Sequence, residues 1–342
     1  MRVSLTERTL RFAAPLATSF GVLEERDLLE LRLTGEDGVS GHGEAAPLEP
    51  YDGIPTAIVR AALERYLPIL EAGDGASGSE LLDACRAAAD LPQALAAVDL
   101  ALWDRAGRRA GRPLCELLSD DPARRVVVNA TLGATDRLGA AEQASAAVAA
   151  GYTCLKVKVG VGDDGGRVAA VRARAGPAIA LRLDANGAWM EEEAVRAIEA
   201  LAPAGLEFVE EPVSGLQAMR SVRARVSVRV AMDETAAMPG ALASGAADAV
   251  CLKISRCGGI SGLLAAAALV STTGAEAYLA STFDGPLGIA GALHAAAALT
   301  ARSALPACGL ATLGAFSGLV DPFSPVGGAI AVPTGPGLGV TV

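Results

Sequence analysis

Histidine is nearly missing from this chain of 342 residues: His42 and His294 are the only two, and nothing pairs with either at metal-ligand spacing. The cysteines (Cys85, Cys115, Cys154, Cys251, Cys257 and Cys308) include no Cys-x-x-Cys pair. Both facts argue against a zinc centre. Several of these cysteines sit in apolar runs and read as buried, reduced thiols of a cytoplasmic protein. Residues 1–12 lack the apolar centre of a secretory signal. The apolar run 260–270 is Ala-rich, contains Gly and is too short to span a bilayer. Positive charge is also in deficit: the formal net charge is -10. An acidic surface repels nucleic acid and anionic membrane, so neither is expected as a partner. No Gly-x-Gly-x-x-Gly follows a first strand, which removes the usual mark of an open dinucleotide-binding sheet.

What is present is apolar and small. Hydrophobic residues make up 51% of the chain, enough for one large domain and a smaller one. Early in the sequence Leu29, Leu31 and Leu33 alternate, a Gly-Glu-Asp-Gly turn follows, and a second short strand runs through Val39 and Gly43, which is the pattern of a hairpin. Helical periodicity then covers 56–70, 78–89 and 93–109, with Leu95, Val98, Ala101 and Leu102 marking one face of the last. After Pro122 the pattern changes to short apolar strands alternating with Ala-rich helices. Strands are expected at 126–130, 154–159, 180–183, 207–209, 228–231, 249–252, 275–280 and 308–312. Helices are expected between them, for example at 139–150, 191–201 and 260–272. Strands and helices alternating in this way read as an α/β, TIM-like barrel. The Gly- and Pro-rich tail carries one more strand, 329–332, that can return to the N-terminal part.

Charged residues follow five consecutive barrel strands. They are Lys156 and Lys158, then Asp184, then Glu210 with Glu211, then Asp233 with Glu234, then Lys253. The steps from 184 to 210, 210 to 233 and 233 to 253 are 26, 23 and 20 residues, each about one βα unit. In a barrel these strand ends converge on one mouth, where active sites lie. Asp184, Glu210 and Asp233 are three hard oxygen donors with no His or Cys among them, a set that suits Mg²⁺, with Mn²⁺ as the alternative. Lys156 and Lys158 alternate onto the same face of their strand. Two lysines so close, beside a metal, are expected to depress each other's pKa and to yield a general base. A proton alpha to a carboxylate is only weakly acidic. A metal on the carboxylate and a lysine nearby would stabilise the enediolate left when it is removed. Taken singly, a Lys-x-Lys is usually a solvated strand edge and a strand-end Asp a helix cap. Together, at barrel spacing, they point to a site.

Lys156-x-Lys158, Asp184-Ala185-Asn186, Glu210-Glu211-Pro212, Asp233-Glu234 and Lys253-x-Ser255 with Gly258-Gly259 resemble the muconate-lactonizing subgroup of the enolase superfamily. Ala97-x-Asp99-x-Ala101-x-Trp103-Asp104 and Gly41-x-Gly43-Glu44-Ala45 are similar to its cap-to-barrel bridge and its N-terminal hairpin. The resemblance covers nearly the whole chain. It implies an α+β capping domain (1–121), a modified (β/α)₇β barrel (122–315) and a C-terminal segment returning to the cap (316–342). It implies Mg²⁺ on Asp184, Glu210 and Asp233, and acid/base roles for Lys158 and Lys253. Asn186 and Glu234 would support the metal and Lys253, and a homo-oligomer acting on a small carboxylate is expected.

The subgroup includes muconate cycloisomerases, dipeptide epimerases, N-acylamino acid racemases and o-succinylbenzoate synthases. In it, substrate choice comes from a cap loop, here near Phe20, and from the ends of strands seven and eight. The eighth-strand stretch Cys308-Gly309-Leu310-Ala311-Thr312-Leu313 lacks both the glutamate of the cycloisomerases and the Asp-x-Asp of the dipeptide epimerases. It looks most like o-succinylbenzoate synthases, as do Asp321-Pro322 and the segment 18–26, so dehydration of that type is the leading expectation. An epimerase or racemase is the alternative. Asp284, after strand seven, can bind a substrate ammonium or hydroxyl or cap the next helix. Two readings come from other classes. A Schiff-base aldolase with Lys253 as nucleophile would have no need of three acids. A barrel that only binds a metal or ligand would have no need of flanking lysines.

Overall fold

The computed structural model describes residues 1–342 apart from 19, 20, 134, 302, 303, 341 and 342. The loop expectation at Phe20 therefore lies outside the described residues. The chain opens with three antiparallel strands, β1 (Arg2–Thr18), β2 (Gly21–Thr34) and β3 (Ser40–Ala45), of which the sequence pattern suggested the second and third. Helices α1 (Glu49–Asp52), α2 (Thr56–Ala72), α3 (Gly78–Ala88) and α4 (Pro92–Ala110) follow. Leu29, Leu31 and Leu33 pack with Leu63, Tyr66, Leu95 and Val98 into one apolar core, which is why the alternation in β2 and the helical spacing in α4 go together. α4 lies directly against β3: a Cβ at Gly41 or Gly43 would fall 2.0 Å from the carbonyl oxygen of Ala101 or Ala97.

A short helix α5 (Cys115–Leu118) leads to β4 (Arg125–Val127) and β5 (Ala130–Leu132). Then come α6 (Arg137–Ala149), β6 (Cys154–Lys158), α7 (Asp164–Ala175), β7 (Ala180–Asp184), α8 (Glu191–Leu201), β8 (Phe208–Glu210), α9 (Leu216–Arg223), β9 (Val230–Met232) and β10 (Ala249–Leu252). Two short 3₁₀ turns, Glu234–Ala237 and Ala241–Ala243, stand between β9 and β10. The chain continues through α10 (Ile260–Ser271), β11 (Glu276–Leu279), α11 (Pro286–Thr300) and β12 (Ala329–Ala331). Strands β5 to β11 form one parallel sheet in sequence order. Its edges are joined by parallel bridges from Cys308 to Val128 and from Gly309 to Ala280. The result is the modified (β/α)₇β barrel with an α+β cap.

Two expected strands differ. The stretch 126–130 divides, because Arg125–Val127 pairs antiparallel with the tail strand β12 while Ala130–Leu132 enters the barrel. Buried Val126 and Val128 keep a single alternation through both parts, so the sequence gives no sign of the change of partner. The expected eighth strand, 308–312, is reduced to its two bridges. It then turns into the 3₁₀ segment Leu313–Ala315, and Phe316 crosses to stack on Phe12 of β1.

Candidate active site

In a parallel sheet every strand delivers its last residue to the same rim. The register places Lys158 beside Asp184 and Asp184 beside Glu210, with Asp233 and Lys253 one residue beyond the ends of β9 and β10. Asp184, Glu210, Asp233 and Lys253 are all buried. Lys156 donates to Glu210 at 2.6 Å and pairs with Asp184 at 2.8 Å. Lys158 donates to Asp184 and to the Asn186 amide oxygen, both at 2.6 Å. Lys253 donates to both carboxylate oxygens of Asp233. Lys158 and Lys253 thus stand at the two ends of a row of three acids, with Glu210 in the middle.

These contacts overturn one expectation. Burial alone would lower the Lys156 pKa, but Asp184, Glu210 and Asp233 outweigh it and raise it above the ordinary lysine value. Lys253 is likewise raised, with Asp233 opposing the effect of burial. Lys156 is not depressed as expected, because it meets carboxylates before it meets another ammonium.

The acids fit a divalent cation. Burial raises the Glu210 pKa, and repulsion from Asp184 and Asp233 persists although Lys156 lowers it. Three lysines balance the three acids here, and the donors they occupy are hard oxygens of the kind a divalent ion takes. The donor atoms of Glu210, Asp233 and Cys251 lie within 4.8 Å of one another. Cys251 was not expected there. Burial pushes its thiol well above the ordinary value, which leaves the carboxylates as the hard donors. Asp184 instead turns toward Lys156 and Lys158.

Around this row the positions differ in detail from expectation. Asn186 holds Lys158, not Lys253, and passes its amide N–H to Glu234 at 3.0 Å. Burial and the Asp233 charge raise the Glu234 carboxyl to about 7. Glu211 turns inward, away from the row, and accepts from the Asp233 and Thr235 amides. Asp284 is buried with Oδ1 on the Thr282 hydroxyl. It does not cap α11: Glu44 of β3 does, accepting from Gly285 and Leu287. Asn186, Glu211 and Phe283 adopt positive φ (46°, 40° and 59°) just after three strand ends, a conformation that the surrounding packing must hold.

Sequence reasoning missed Tyr51, in α1 of the cap. Its hydroxyl donates to Asp233 at 2.8 Å and accepts from Lys253 at 2.7 Å and Arg256 at 2.6 Å. Burial keeps it protonated, its pKa raised well above the ordinary value. No local spacing marks a residue that reaches the barrel from far along the chain. One available signal was overlooked: Lys156, Lys158 and Lys253 are the only lysines in the sequence. A cleft of about 410 Å³ opens beside the row, between the 3₁₀ turns and α10. It is lined by Met238, Leu242, Cys257 and Leu269 and reaches Lys253 and Arg256.

Residues 139–342 match the family model "Enolase C-terminal domain-like", and residues 1–119 match "Mandelate racemase / muconate lactonizing enzyme, N-terminal domain". The chain is 31% identical over 315 residues to a hydrophobic dipeptide epimerase of Enterococcus faecalis, covering 87% of this chain and 86% of that one. It is 39% identical to an o-succinylbenzoate synthase of Thermobifida fusca, but over 60% of this chain and 66% of that one. The crystal structure of the E. faecalis dipeptide epimerase, complexed with Mg and the dipeptide L-Leu-L-Tyr, superposes with a TM-score of 0.89 at 27% identity, covering 99% of both chains. Epimerases match over most of the chain, as does a muconate cycloisomerase of Rhodococcus opacus, whereas the synthase matches over less, so the comparisons support the epimerase alternative better than dehydration.

Proposed function

The chain belongs to the enolase superfamily, in its muconate-lactonizing branch, and is an enzyme of that superfamily; from this premise we propose that it epimerises or racemises an amino-acid derivative at the carbon alpha to its carboxylate. The observation that carries the reading is the row Lys158–Asp184–Glu210–Asp233–Lys253, with one lysine at each end. Lys158 would take the proton from one face and Lys253 would deliver one to the other, with the roles reversed for the opposite isomer. Each lysine is paired with a carboxylate, so the one acting as base must first leave that contact and lose its proton. A Mg²⁺-type ion held by Asp184, Glu210 and Asp233 would neutralise the charge that grows on the substrate carboxylate. It would also compete with the lysines for those carboxylates. Tyr51 accepts from Lys253 on the cap side, and Arg256 of the barrel donates to the same hydroxyl.

The substrate class proposed is a dipeptide or N-acylated amino acid. The stretch Cys308–Leu313 offers no acid for a free ammonium, so a derivative without that charge should be the better substrate. The test is incubation in D₂O, with Mg²⁺, of L- and D-isomers of a dipeptide and N-acyl amino acid panel. Deuterium should enter the alpha position of both isomers. Lys158→Ala should lose exchange from one isomer and Lys253→Ala from the other, each folded by circular dichroism. Full activity in a chelated, metal-free sample would sink the reading. The T. fusca relative supports a second reading, dehydration, which would show instead as loss of water from a beta-hydroxy carboxylate.

A further inference from the structure

Three buried ionisable side chains meet where the cap rests on the barrel, and the row of acids and lysines uses none of them. Arg26 of β2, Glu44 of β3 and Asp284 after β11 are 3%, 2% and 1% exposed. Arg26 spans two carbonyls of the segment that leads into α1, donating to Pro47 at 2.5 Å and Ala46 at 3.0 Å. Glu44 reaches the other way. It accepts from the Gly285 amide at 2.6 Å and the Leu287 amide at 3.1 Å, at the start of α11. The approach is tight, since a Cβ at Gly285 or Gly288 would fall 2.6 or 2.7 Å from a Glu44 oxygen. Asp284 attracts Arg26 and repels Glu44. Arg26 Nε and Asp284 Oδ2 are each buried without a hydrogen-bond partner among the described residues. One cation and two acids removed from water lower stability relative to an apolar seam, so the arrangement calls for a use other than stability.

We propose that Arg26, Glu44 and Asp284 form a latch that docks the cap on the barrel and thereby positions Tyr51 against Lys253. The route is short and continuous. Glu44 ties β3 to the barrel at α11, and Arg26 grips the chain two and three residues further on, at Ala46 and Pro47. α1 begins at Glu49 and carries Tyr51 to Asp233, Lys253 and Arg256. Losing the latch frees the segment between Ala45 and Tyr51 and loosens the hydroxyl from the ammonium. All three are positioning residues, and their effect passes through Tyr51. The proposal rests on Lys253 being an acid/base group only for its kinetic arm.

The chain's lysines allow a readout that does not depend on activity. Lysine labelled with ¹³C gives one side-chain NMR signal each for Lys156, Lys158 and Lys253. In Glu44→Gln the Lys253 signal should move toward its position in Tyr51→Phe, while that of Lys158 stays. kcat/KM on the best substrate should fall about tenfold, no further than in Tyr51→Phe, with kcat falling more than KM rises. The double variant Glu44→Gln/Tyr51→Phe should be no worse than Tyr51→Phe alone. An unmoved Lys253 signal, or effects that add, would overturn the latch. If Glu44→Gln fails to fold, Arg26→Lys keeps the charge, loses the two-carbonyl grip and carries the same readouts. A wild-type chain that exchanges no alpha proton would refute the acid/base reading and leave the NMR arm to decide the latch.

Discussion

At the residue scale the sequence keeps lysine for one place. Of 29 Lys and Arg residues, three are lysines, and all three lie in the site. Arginine serves for surface charge because its guanidinium does not give up a proton in proteins, whereas lysine can. The acids that accompany them were legible, since strand ends recur at the βα period. Their contacts were not, because a spacing places a side chain at a rim without saying which neighbour it meets. The expected depression of Lys156 failed for that reason. Without added metal, the ¹³C signals of Lys156 and Lys253 should stay in the ammonium form beyond the ordinary lysine range, as their raised pKa values require. Addition of Mg²⁺ should shift them as the ion takes carboxylate oxygens. Signals that titrate in the ordinary range would contradict the ion pairs. Tyr51→Phe leaves a half-buried ring in place and removes one hydroxyl shared by Asp233, Lys253 and Arg256. It should lower kcat/KM about tenfold while moving the melting temperature little.

At the element scale the pairing of β3 with α4 explains a motif that the sequence offered only as a resemblance. Gly41 and Gly43 are small because helix backbone lies where their side chains would be. Gly43→Ala would push a methyl into the Ala97 carbonyl and force strand and helix apart. We expect a loss of about 3 kcal/mol or more, read as a lowered urea midpoint. A midpoint unchanged within error would mean that the two elements yield easily. The helices were more legible than the strands. Helix 191–201 matches the expected span, because a 3.6-residue period over several turns is unambiguous. Strands β8 and β9 are three residues each, and so short a segment carries too little pattern to fix its ends. β12 pairs with β4, far from it in sequence, which no local signal records.

At the scale of the whole molecule, His294 ties distant parts together. It sits buried in α11, accepts from the Cys115 amide at 3.1 Å through Nδ1, and lies 3.3 Å from the Leu338 carbonyl through Nε2. With the first nitrogen accepting, the second carries the proton, and the ring is neutral. Burial lowers its pKa from 6.5 to about 4. The folded state therefore prefers the neutral ring. That stabilisation is complete above the unfolded value and is lost as pH falls from 6.5 toward 4, for a total on the order of 3 kcal/mol. Lowering the pH from about 7 to about 4.5 should cut the wild-type urea midpoint more than that of His294→Gln. Equal losses would assign the acid sensitivity elsewhere.

The same tail meets Asp104, a buried carboxylate in α4 that accepts from the His42 amide at 2.9 Å and the Leu338 amide at 2.7 Å. His42 and Leu338, far apart in sequence, thus share one acceptor in α4. On the ribosome, β3 and α4 emerge early and can pair, but Asp104 stays half-satisfied until Leu338 has left the exit tunnel. The packing of the cap is therefore completed only once Leu338 has been made, although β3 and α4 are made much earlier.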